Sequence, residues 1–206
     1  MNKIKINILT IFPQQVDAYL KVGVLNQAVK KGKVVFNIVD IREFSQDKHK
    51  KVDDVPYGGG PGMVMKAPVV VRALESIKEA GTKILLSPTG KKFNQDTAEK
   101  LKRESLTLIC GRYTGIDYRV RKFVDLIIKV GDFIVSGGEL PGLMIAESVV
   151  RLIPGVLGDK RSIEEDKGYP VYTRPREFRG LKVPDVLLSG NHERIKKFRQ
   201  KEAEYD

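Results

Sequence analysis
The chain is poor in the residues that build the commonest catalytic and metal centres. Of its 206 residues one is cysteine and two are histidine, and there is no tryptophan. A single thiol, Cys110, excludes an internal disulfide and is what a reducing compartment permits, so a cytoplasmic protein is expected. His49 and His192 leave little material for a zinc site or a serine triad. They read instead as polar surface residues or residues facing a polyanion. No apolar run approaches the roughly 20 residues that a membrane helix needs. The opening Met1–Pro13 carries no small-residue cleavage signal and reads as a first strand. The 41% hydrophobic and 31% charged fractions are those of an ordinary soluble protein, long enough to bury a core without a staple.

Charge is what the chain has in excess. The formal net charge is +11. It is spread along the chain, with an excess of +5 in residues 1–66, +4 in 67–157 and +2 in 158–206. Long-range attraction to RNA would use such a surface, and so would a merely solvated, lysine-rich exterior. If RNA binds, the body of the protein binds it, because no basic tail stands apart.

Apolar runs with β-rich composition alternate with helical ones. Strands are expected at Lys3–Phe12, Val34–Asp40, Thr82–Ser87 and Leu106–Cys110, and helices at Asp17–Lys31, Pro68–Glu79, Asn94–Arg103 and Leu140–Leu152. Val124–Val135 reads as a strand, a bend at Gly131 and a second strand. The alternation predicts an α/β fold with a mostly parallel sheet and helices on both faces. Two stretches interrupt it: the glycine-rich loop Phe44–Lys66 and the charged, turn-rich segment Gly155–Pro175. A short helical segment, Asn191–Tyr205, follows near the end.

Familiar motifs fail when tested. Tyr57-Gly58-Gly59-Gly60-Pro61-Gly62-Met63 misses the dinucleotide fingerprint, because Met63 stands where the third glycine belongs. No lysine completes a phosphate loop. Ser136 lacks the glycine two residues earlier that a nucleophile elbow requires. Cys110 ends an apolar strand and reads as a structural cysteine. What survives is a set of three Gly- or Pro-rich turns, each after an apolar run: Leu86–Gly90, Cys110–Gly115 and Val135–Pro141. In an open α/β sheet such turns converge at the carboxyl ends of the strands, where backbone groups can read a nucleoside-like ligand.

The ordered set of words resembles the bacterial tRNA (guanine-37-N1)-methyltransferases, the TrmD family of the SPOUT class. Those words are Val52-Asp53-Asp54-Val55-Pro56-Tyr57-Gly58-Gly59-Gly60-Pro61-Gly62-Met63, Leu86-Ser87-Pro88, Cys110-Gly111-Arg112-Tyr113 and Gly115-Ile116-Asp117. Ser136-Gly137-Gly138-Glu139-Leu140-Pro141, Ile153-Pro154-Gly155-Val156-Leu157-Gly158, Tyr172-Thr173-Arg174-Pro175 and Leu187-Leu188-Ser189-Gly190-Asn191-His192 complete it. The resemblance implies a deep trefoil knot, an obligate homodimer, and S-adenosylmethionine as methyl donor to N1 of guanine 37 in tRNA. It implies a cofactor pocket lined by Leu86, Ser87, Pro88, Gly111, Tyr113, Val130, Gly131, Phe133, Val135, Gly138 and Pro141. Substrate contacts would fall to Asp53, Tyr57, Gly58, Gly59, Ser189, Asn191 and His192. Its implied domains are a catalytic one over 1–158, a linker or lid over 159–175, and a tRNA-binding segment over 176–206, shortened relative to the family.

The reaction dictates two further roles. Guanine N1 carries a proton that a base must remove as the methyl arrives, and charge then develops on O6. The resemblance assigns the base to Asp166, the O6 stabiliser to Arg151 and an assisting role to Mg²⁺. An ordinary Asp, with a pKa of about 3.9, is a weak base, so a less solvated setting is expected for Asp166. The chain departs from the family pattern at Thr114, where Glu is usual, and at Thr89, where Gln is common. Another SPOUT methyltransferase and a non-catalytic RNA-binding protein are the alternatives, and mapping of a methylated nucleotide separates them.

Overall fold
A computed structural model of the chain describes residues 3–158 and 169–203. They belong to two compact units, Met1–Gly158 and Asp159–Asp206. In the first, five parallel strands form one sheet in the order β2-β1-β6-β5-β7. The strands are β1 (Ile4–Thr10), β2 (Val34–Asp40), β5 (Thr82–Lys92), β6 (Leu106–Ile109) and β7 (Leu126–Lys129). A two-residue ladder, β3 (Asp53–Asp54) with antiparallel β4 (Val64–Met65), closes the base of the glycine-rich loop.

Both faces of the sheet are covered, as a parallel sheet requires. Successive side chains of a strand point to opposite faces, yet both members of the pairs Ile8 and Leu9, Ile84 and Leu85, and Leu108 and Ile109 are buried. Leu9, Leu85 and Ile109 pack with Val69, Val70, Ala73 and Leu74 of α3 (Ala67–Glu75). Four further helices serve the same unit: α1 (Pro13–Leu20), α2 (Gly23–Lys30), α4 (Gln95–Leu101) and α5 (Glu139–Val150). Helix α5 packs against α1, α2, α4 and β1. Seven of its twelve residues are buried apolar ones or glycine, which is why it reads as apolar nearly all round.

The expected helix Asp17–Lys31 is in fact two. Val22 is extended and Gly23 takes φ +60°, a left-handed conformation that a residue with a Cβ avoids, so the chain breaks between α1 and α2. The expected second strand after Gly131 is absent. Asp132 is held by the ammonium groups of Lys92 (3.0 Å) and Lys129 (2.7 Å), which turns the chain off the sheet edge after β7. Residues 130–138 instead form an irregular loop.

Strand β5 runs further than its apolar core predicts. Leu86 and Lys91 both register against Ile128 of β7, so Ser87–Gly90 bulges out between two paired stretches. Gly90 lets the bulge sit tight, because a Cβ there would lie 2.6 Å from the Ile127 and Ile128 backbone.

In the second unit β8 (Glu177–Phe178) and β9 (Leu181–Lys182) form a hairpin. Its two-residue turn, Arg179-Gly180, has positive φ at both positions, the geometry that matches strand twist. Two helices follow, α6 (Asp185–Leu188) and α7 (His192–Glu202). Among the described residues no helix is long and apolar enough to cross a membrane.

Candidate cofactor site
The three Gly- and Pro-rich turns, Leu86–Gly90 bulging from β5, Cys110–Gly115 following β6 and Val135–Pro141 leading into α5, meet beside the end of β7 and line a cavity of about 500 Å³. All eleven residues expected to line a cofactor pocket lie in its wall: Leu86, Ser87, Pro88, Gly111, Tyr113, Val130, Gly131, Phe133, Val135, Gly138 and Pro141. The wall also holds residues that the sequence did not single out for it, among them Arg112, Tyr118, Arg121 and Lys129. Tyr118 and Arg121 sit in a short 3₁₀ turn, Tyr118–Phe123, whose composition gives no sign of a ligand.

Close backbone contacts hold the turns together. The Gly138 N–H donates to the Gly111 carbonyl at 2.8 Å. A Cβ on Gly138 would stand 2.8 Å from the Cys110 Cα, and one on Gly137 would stand 2.1 Å from the Arg112 Nε. Gly138 is therefore required by space against backbone, while a side chain at 137 would have to displace the Arg112 guanidinium. Tyr113 takes φ +60°, which turns the chain sharply inside the second turn.

Beneath the cavity lies a buried ion pair. Glu139, 2% exposed, opens α5 and accepts from Arg112 Nε at 2.8 Å and from the Thr10 hydroxyl at 2.7 Å. Arg112 also donates to Gln15 Oε1 at 3.0 Å and lies 4.5 Å over the Phe12 ring. Arg112 and Glu139 together thus tie the end of β1, the start of α1 and the start of α5 to the second turn. Cys110 lies beside this pair, and burial drives its thiol pKa well above the usual thiol range, with Glu139 adding to the effect. Such a thiol is inert, in keeping with a structural cysteine.

The glycine-rich loop is fastened to the second turn. Thr114 N–H donates to the Met63 carbonyl (3.0 Å), Met65 N–H to Gly115 (2.9 Å) and Asp117 N–H to Met65 (3.0 Å). The Thr114 hydroxyl donates to the Pro61 carbonyl at 3.2 Å. Within the loop Gly58, Gly59, Gly60 and Gly62 all take positive φ. Tyr57 is fully exposed, while Asp53 is half-buried in the β3–β4 ladder.

Other expected site residues lie elsewhere. Arg151 caps α5, its N–H donating to the Glu147 carbonyl at 3.0 Å. Asp166 falls outside the described residues. Ser189, Asn191 and His192 are in the second unit, where the first two build the start of α7. The Ser189 hydroxyl accepts from the Asn191 N–H, and Asn191 Oδ1 caps the helix through the Arg194 N–H at 3.1 Å.

A family model described as tRNA (Guanine-1)-methyltransferase TrmD matches residues 4–205. The chain belongs to the TrmD family. Among similar TrmD-type proteins, a tRNA (guanine-N(1)-)-methyltransferase of Dictyoglomus turgidum is 49% identical over 97% of this chain and 85% of its own. One from Persephonella marina is 50% identical over 95% of this chain and 82% of its own. The crystal structure of the tRNA (m1G37) methyltransferase from Aquifex aeolicus superposes with a TM-score of 0.80 at 44% identity. It covers 96% of this chain and 88% of that one.

Proposed function
We propose that this chain transfers the methyl group of S-adenosylmethionine to N1 of guanine 37 in tRNA. The observation that carries the reading is the cavity between the β5 bulge, the turn after β6 and the loop after β7, where all eleven expected cofactor residues share one wall. Its walls are mostly backbone-rich turns, which suit an adenine and a ribose, groups that hydrogen-bond without charge. When bound, the cofactor supplies a methyl group on a positively charged sulfur. The protein's own part is to position the base and manage its proton. Asp166 removes the N1 proton, and Arg151, at the end of the helix that starts under the cavity, steadies the charge that develops on O6.

The same reading brings further parts. A deep trefoil knot in the sheet domain is part of the family resemblance. A homodimer is supported by exposed apolar side chains that one copy leaves in water. Leu140 and Met144 share a face of α5, and Ile134, 84% exposed, lies in the neighbouring loop. Residues 159–175 serve as linker or lid and 176–206 as a tRNA-binding segment. Glycine-loop residues Asp53, Tyr57, Gly58 and Gly59, with Ser189, Asn191 and His192, contact the tRNA. The working compartment is the cytoplasm, where tRNA is met. By the family resemblance Mg²⁺ assists the transfer; among the described residues no group of three or more His, Cys, Asp or Glu side chains gathers.

The test is methyl transfer from labelled S-adenosylmethionine, with and without Mg²⁺, to a tRNA carrying guanine at position 37 and to the same tRNA with adenine there. Label should enter only the first, at N1. Asp166→Asn should keep cofactor binding within a few-fold and lose transfer. An active Asp166→Asn protein would remove the assigned base, and label at another nucleotide would overturn the reading.

A further inference from the structure
The ionisable groups in the cavity wall are unbalanced. No Asp or Glu lines it. Of the three cations that do, Arg112 is matched by Glu139 and Lys129 by Asp132. Arg121 has no carboxylate partner among the described residues. Its guanidinium is nevertheless fixed: it donates through Nη2 to the Thr89 hydroxyl and lies 4.6 Å over the Tyr118 ring. Thr89 and Tyr118 line the same cavity. A half-buried guanidinium held by a hydroxyl and a ring has already lost much of its rotamer freedom, and it keeps N–H groups for a planar anion.

We propose that Arg121 binds the carboxylate of the methionine moiety of S-adenosylmethionine. This rests on the reading of the cavity as the cofactor site. On that reading the backbone of the turns at 111–113 and 130–138 is available to adenine and ribose, so the ligand's charged end is the part that calls for a charged partner. The cofactor's ammonium finds no carboxylate in this wall, where Thr114 presents a hydroxyl instead. Its carboxylate finds Arg121, for which a charge-assisted, two-pronged hydrogen bond is the natural geometry.

The experiment is calorimetric titration of the full chain with S-adenosylhomocysteine, S-adenosylmethionine and 5′-methylthioadenosine. The last shares the adenosine and sulfur but has no amino-acid carboxylate. Arg121→Met should weaken the two amino-acid ligands about 10- to 100-fold and leave methylthioadenosine within about twofold. Arg121→Lys, which keeps the charge but loses the fork, should recover part of the loss. Unchanged methylthioadenosine binding also shows that the variant is folded. Equal losses for all three ligands, or no loss for any, would overturn the assignment. So would an Arg121→Met protein that binds tRNA more weakly but the amino-acid ligands normally, since the anion would then be an RNA phosphate. A wild-type protein that binds none of the three would overturn the cofactor reading itself, and this inference with it.

Discussion
At the scale of single residues, the cavity depends on groups that never face it. Glu139 sits 2% exposed beneath the second turn, with both oxygens occupied by Thr10 and Arg112. Glu139→Gln would remove the charge and leave the Arg112 guanidinium unmatched close to the cavity floor. Breaking a buried pair by removing one partner costs about 3–5 kcal/mol. Arg112 keeps 19% of its side chain in water, so the lower end, about 3 kcal/mol, is expected. The urea midpoint at pH 7 measures it, and a midpoint unchanged from wild type would mean that the pair is neutral to folding. Thr114 shows the opposite economy. Its hydroxyl donates to the Pro61 carbonyl, a bond that a carboxylate at this position, being an acceptor only, would not make.

At the scale of elements, legibility followed periodicity. Val34–Asp40 forms β2 with the bounds read from its apolar pattern, because alternation and composition agree there. The cavity was legible as three separate words, Leu86–Pro88, Cys110–Tyr113 and Ser136–Pro141, since glycine and proline punctuate the chain where turns expose backbone. What stayed hidden depends on pairing across the fold. The bulge at Ser87–Gly90 exists because two stretches of β5 share one partner in β7, and nothing local announces that. Arg121 was one basic residue in a basic chain until Thr89, 32 positions earlier, was found beside it. The loop after β7 belongs to the same class, since Lys92 arrives from β5 to hold Asp132. Hydrogen bonds from Lys129 and then Lys92 draw the Asp132 pKa down to about 2 from an ordinary 3.8. A carboxylate depressed in the fold stabilises above its ordinary pKa and loses that effect as pH falls through the depressed value. The contribution to holding residues 130–135 should therefore be constant from about pH 5 to 8 and fade between about pH 4 and 2. Asp132→Asn should weaken S-adenosylhomocysteine binding a few-fold at pH 7. The ratio of wild-type to variant affinity should stay flat down to pH 5, and a ratio that changed between pH 5 and 8 would assign the effect to another group.

At the scale of the whole molecule, two ligands of very different charge must be held by one basic surface. The net charge of +11 is distributed over the length of the chain rather than gathered at one end. A tRNA bound by such a surface releases counterions from every phosphate that a lysine or arginine neutralises, so log K falls linearly with log salt concentration. With about six such contacts, affinity should drop on the order of a thousandfold between 50 and 200 mM salt. The nucleoside ligand meets backbone groups and one half-buried arginine, so its affinity should move only a few-fold over the same range. Filter binding for tRNA and calorimetry for S-adenosylhomocysteine, run in the same salt series, separate the two. A steep slope for tRNA beside a shallow one for the cofactor product would divide the charge between a broad RNA-facing surface and a single fixed cation in the cavity. Two shallow slopes would mean that the excess of lysine and arginine serves solvation and that tRNA is held by few phosphate contacts.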